Sequence, residues 1–109
     1  MALVHASSGD VMNVRPFGVR LSGEKSSALF KSEDLSVHRM VLLAGQALPA
    51  HQVSGEVIIH CIEGCLEVDC AGTLKMLDAG EMLFLARNTV HAVQAVQDAS
   101  ALVTIVVKP

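Results

Sequence analysis

The sequence predicts an all-β domain, a sandwich or barrel of short strands. Two observations carry this. From Phe17 onward the chain reads as short runs of β-branched and aliphatic residues, and each run is cut off by Gly, Pro, Asp or Ser. No run repeats its apolar residues at the helical spacing.

Taken in order, the predicted strands are Phe17–Leu21, Ser27–Lys31, Leu35–Leu43, Val57–Ile62, Cys65–Asp69, Thr73–Leu77, Met82–Leu85, His91–Val96 and Ala101–Val107. The breaks between the later ones are turn formers: Glu63-Gly64, Cys70-Ala71-Gly72, Asp78-Ala79-Gly80, Arg87-Asn88-Thr89 and Gln97-Asp98-Ala99-Ser100. Each contains a residue that tolerates a tight or left-handed backbone, so the middle of the chain is a series of hairpins. Residues 1–16, with Ser7-Ser8-Gly9-Asp10 at their centre, have weak periodicity and are assigned to an N-terminal arm or added edge strand. Residues 17–109 form one barrel domain, since 109 residues suffice for a single core and there is no internal repeat.

Composition narrows the function. Eight Lys plus Arg stand against eleven Asp plus Glu, with no basic cluster, three Phe and neither Trp nor Tyr. A phosphate backbone wants a basic face and stacking aromatics, so a nucleic-acid partner is not expected. Stretches such as Met82–Ala86 fall far short of the roughly 18 apolar residues that span a bilayer, so no membrane partner is expected. The first residues carry no export pattern, which points to the cytoplasm. Cys61, Cys65 and Cys70 are an odd set without the paired C-x2-C spacing of a zinc knuckle, and are read as reduced cysteines used as small hydrophobes.

The chemistry centres on two stretches, Gly45 to Val57 with Gly64 beyond it, and Gly80 to His91. These resemble the two motifs of the cupin superfamily. The first motif runs Gly, five residues, His-x-His, three or four residues, Glu, six residues, Gly, and Gly45, His51 and Gly64 match it in register. In the second, Gly, five residues, Pro-x-Gly, two residues, His, three residues, Asn, Gly80 and His91 match. The resemblance spans about Leu35 to Val107 and implies a small, RmlC-like cupin, an antiparallel double-stranded β-helix or jelly-roll barrel, with His51 and His91 facing one pocket. Val53 and Val57 occupy the second-histidine and glutamate positions of the family's metal site, and Ala86, Asn88 and Ala95 replace the proline, glycine and asparagine. Asn88 is one of the few residues able to replace Gly at a positive φ.

Two readings of function stand open. In the first, the barrel is metal-free or weakly metal-binding and takes a small molecule in a pocket lined by Val53, Val57 and Ile59. In the second, it is a metal-dependent enzyme of the oxygenase, isomerase or decarboxylase type. His51 and His91, with Glu56 or water, would then hold a divalent ion such as zinc, iron, manganese or nickel. Two imidazoles alone make a weak site, and Glu56 faces opposite to Val57 unless the strand begins late or bulges near Ser54-Gly55. His60 alternates with Ile59 and points away from the pocket, while His38 and His5 are read as surface histidines. Val57–Ile62 and Ala101–Val107 are apolar on both faces, and apolar residues make up 51% of so short a chain. Both features predict a homodimer joined through the outer faces of the sheets.

Overall fold

The computed structural model describes residues 5–107; part of the predicted N-terminal arm, residues 1–4, and the last two residues of the predicted barrel domain lie outside them. Nine strands follow a short 3-10 helix, Gly18–Gly23: β1 (Ser27–Lys31), β2 (Leu35–Leu42), β3 (Ala47–His51), β4 (Val57–Glu63), β5 (Cys65–Cys70), β6 (Thr73–Asp78), β7 (Met82–Leu85), β8 (His91–Ala95) and β9 (Ala99–Val106). They form two antiparallel sheets, one in the order β1-β2-β9-β4-β7 and the other β3-β8-β5-β6. The all-β fold expected from the sequence is the one observed.

Period-two alternation decides what faces inward. Val57, Ile59 and Cys61 of β4 pair with Ile105, Val103 and Ala101 of β9, which pair in turn with Ser36, His38 and Met40 of β2. From the second sheet, Leu66 and Val68 of β5 lie opposite Ala95 and Val93 of β8. Cys61, Leu66, Val68, Ala99 and Ala101 are fully buried, and Ile59 nearly so. Each large apolar side chain removed from water in this way contributes about 1.5–3 kcal/mol. The three cysteines are free, two of them buried. Burial pushes all three thiols up, Cys61 to about 11, so they belong to the packing rather than to nucleophilic chemistry.

The turns follow their residues. Gly64 and Gly80 have φ of 79° and 89°, and Asn88 adopts the predicted positive φ, 61°.

Two elements differ from the sequence reading. Phe17–Leu21 is not a strand, because residues 18–23 coil into the 3-10 helix. Gly18 takes a φ of +63°, and the Phe17 and Gly18 N–H groups donate to the Glu63 carboxylate, at 2.9 and 3.0 Å, rather than to a neighbouring strand. Conversely, β3 is a strand that the sequence pattern conceals, since all five of its residues are exposed and the third is Pro49. It lies at a sheet edge, where a missing N–H is tolerated, and its pairing with β8 shifts register between Leu48 and His51. Among residues 5–17 there is no strand, although the Ala6 N–H donates to the Leu29 carbonyl at 3.0 Å.

The segment around Phe17 crosses the outer face of the five-stranded sheet, over a buried polar cluster. Arg39, only 3% exposed, donates to the Arg15 carbonyl at 2.8 Å and to the Ser100 hydroxyl at 2.9 Å, and lies 3.3 Å from the Glu63 carboxylate. Its guanidinium stacks over the Phe17 ring at 4.0 Å, and Ser100 in turn donates to Glu63. Burial alone would push the Glu63 carboxyl up, but hydrogen bonds from Ser100, Phe17 and Gly18 and the Arg39 charge outweigh it and hold the group below its usual range.

Candidate functional site

Because β3 ends and β8 begins side by side, His51 and His91 are direct cross-strand partners. Their ring centroids are 4.3 Å apart and the planes are tilted by 53°. Each ring is oriented by the chain just before it. His51 Nδ1 bonds the Pro49 carbonyl at 3.1 Å, and His91 Nδ1 bonds the Thr89 carbonyl at 3.0 Å. A carbonyl can only accept, so the proton sits on Nδ1 in both rings and the neutral imidazole keeps a lone pair on Nε2.

Both histidines line a cavity of about 370 Å³ between the sheets. Val53, Val57 and Ile59 line it as well, joined by Met40, Leu48, Val93, Val103 and Ile105. Along β4 the inward residues pass from cavity-lining Val57 and Ile59 to fully buried Cys61, so the cavity opens where packed core ends. The Val53 carbonyl accepts the Asn88 N–H at 2.9 Å, which ties the loop before β4 to the turn before His91.

Five of the six residues singled out from the sequence, His51, His91, Val53, Val57 and Ile59, therefore share one cavity. Glu56 does not: it is exposed, next to Val57 on a strand that begins without a bulge, and it is absent from the cavity wall. His60 also lies outside the cavity. His38, read from the sequence as a surface residue, is instead half-buried and lines the cavity, with Nε2 3.1 Å from the Ser36 hydroxyl. The sequence carried no signal for it, because the alternative face, Leu35, Val37, Arg39 and Val41, is no less apolar than Ser36, His38, Met40 and Leu42. Ser26–Ala28, at the start of β1, were also missed.

The donor set does not fit a resident metal ion. Such an ion typically takes three or more protein ligands, and among the described residues no group of three His, Cys, Asp or Glu stands close enough together to hold one. The valines at positions 53 and 57 line the same wall as the histidines, so the missing donors are replaced by apolar surface. None of the described helices is long and apolar enough to cross a membrane.

No family model and no curated protein matches the sequence. Solved structures do. The chain is similar to an RmlC-like cupin protein from Desulfovibrio desulfuricans, with 28% identity and a TM-score of 0.75 over 89% of this chain and 96% of the other. A cupin superfamily protein from Desulfitobacterium hafniense matches with 14% identity and a TM-score of 0.77, over 94% and 100% of the two chains. A conserved protein of unknown function from Streptococcus pyogenes matches over 100% and 98%, with 20% identity and a TM-score of 0.76. With two antiparallel sheets and these neighbours, the chain has the cupin fold and is similar in structure to small RmlC-like cupins.

Proposed function

We propose that the protein binds a small, largely apolar molecule in the barrel cavity, anchored at its polar end by His51 and His91. The observation that carries this is a wall rich in valine, isoleucine, leucine and methionine, in which, besides His38 bonded to Ser36, two imidazoles have their orientation set by backbone carbonyls. Few, well-oriented polar groups in an apolar cavity are the usual design of a small-molecule site. Screening a set of small neutral compounds by NMR is expected to shift the ring signals of His51 and His91 before any others. Binding that leaves both rings unmoved would rule the reading out.

A second reading, a metal-dependent enzyme, is favoured by one feature. Imidazoles that ligate metal usually donate their other N–H to a carbonyl or carboxylate, as both rings do here. Two imidazoles make a weak site on their own, so the reading has a direct test. Combining Val53→His with Val57→Glu is expected to raise zinc affinity at least about tenfold, because two donors are added to a wall that already holds two. Unchanged affinity in calorimetry would mean that the four positions do not converge on one point.

The outer face of the five-stranded sheet supports a homodimer. Part of that face is covered by the chain's own segment around Phe17, but Ile58 pairs directly with Phe84, and His60 with Met82, on the far side. Phe84 and Met82 are 61% and 65% exposed. A second copy packed on β4 and β7 would cover them, and a two-fold contact lets one patch serve both subunits. Sedimentation at micromolar concentration is expected to give twice the 11.5 kDa chain mass, and Phe84→Glu to give the monomer. A wild-type monomer would defeat the proposal.

A further inference from the structure

We infer that the molecule held in the cavity is neutral and donates hydrogen bonds from its polar end: a phenol or alcohol on an apolar body. The inference rests on the cavity being a binding site, and adds the chemical class of its occupant. With Nδ1 of both rings committed to the Pro49 and Thr89 carbonyls, each neutral ring offers Nε2 as an acceptor. His91 is 5% exposed, yet among the described residues no protein group bonds its Nε2. An acceptor without a protein partner, on a ring that lines a cavity, marks where a ligand donor can bond.

The wall also says which ligands fit poorly. No Asp, Glu or Lys lines it; Arg39 borders it, but its Nη2 bonds Ser100 and the Arg15 carbonyl and its charge is met by Glu63, leaving Nε its only buried nitrogen without a partner. The Ser26 hydroxyl is likewise spent on the Val41 backbone, accepting from its N–H at 2.8 Å and donating to its carbonyl at 3.3 Å. An ammonium group would leave water without a counter-charge, and a carboxylate would find no fixed cation, so either pays a desolvation cost that a hydroxyl does not. A molecule with no donor at all would leave two acceptors dry. Sites built to bond a hydroxyl discriminate strongly against the analogue that lacks it.

The test uses the whole protein and matched probes at about pH 8, above the usual imidazole range. Para-cresol and 4-methylanisole have nearly the same shape, but only the first can donate. Calorimetry or NMR titration is expected to show para-cresol at least about tenfold tighter than 4-methylanisole, cyclohexylammonium or benzoate. That preference should vanish in His51→Leu, whose exposed position leaves the core intact, and in His91→Leu. Equal binding of para-cresol and 4-methylanisole would overturn the inference while leaving the cavity a binding site. Tighter binding of either charged probe would overturn it too. If none of the four binds, the inference falls together with the small-molecule reading.

Discussion

Replacing Gly64 by alanine is expected to cost about 4 kcal/mol or more of folding stability, placing it among the most damaging single substitutions a domain meets. A Cβ at this position would lie 2.1 Å from the Asp98 carbonyl oxygen and 2.8 Å from Ala99 Cα. Both contacts are backbone, so no side chain can turn aside to relieve them, and φ is +79° besides. The strain falls on the turn between β4 and β5 and on the start of β9, at the end of the barrel where Ala99 and Ala101 are fully buried. Gly45 is the control. It has a similar φ, +86°, but nothing lies within 4 Å of its would-be Cβ, so Gly45→Ala should cost only the left-handed strain of about 1–2 kcal/mol. Urea denaturation of the two variants checks the contrast, and equal losses would show that crowding at Gly64 is relieved elsewhere.

Glu63→Ala is expected to destabilise the fold by about 3–5 kcal/mol, because it leaves the Arg39 charge inside the protein without its counter-ion. The same substitution removes the acceptor of the Phe17 and Gly18 N–H groups, so the segment carrying Arg15 and Arg20 should become open to trypsin. Replacing both partners by apolar residues, Arg39→Met with Glu63→Leu, should recover much of the loss, since neither buried charge then remains. A Glu63→Ala change of less than about 1 kcal/mol would reduce the pair to a surface contact. The pH dependence has a defined sign. Glu63 titrates lower in the folded than in the unfolded chain, so its contribution is present above the ordinary carboxylate value of about 4.3. It is lost as the pH falls from there through the folded value, and Glu63→Gln should remove that part of the acid limb of the stability curve.

How much was legible beforehand depends on what each residue's neighbours are in sequence. Strands β4 to β9 were readable nearly to their ends because apolar runs bounded by Gly, Asp or Asn leave few alternatives. β3 was not, because Pro49 and full exposure erase the signal of a strand that exists only through pairing with β8. Phe17–Leu21 misled for the opposite reason: its local pattern suits a strand, but its N–H groups are claimed by Glu63, 46 positions away.

By itself, the sequence determined an all-β chain, the spacing that brings His51 and His91 together, and the valines that stand with them. The first follows from local turn chemistry and from period two, which the chain carries residue by residue, and the other two from the resemblance of its two motifs to those of cupins. Only the tertiary structure decided which face of β2 turns inward. That choice put His38 into the cavity wall and buried Arg39 on the opposite face under the segment around Phe17. Both faces of β2 hold apolar and polar residues, so alternation alone is silent. The balance is struck by partners distant in sequence, Glu63 and Ser100 for the arginine and the apolar residues of β9 for the inward face.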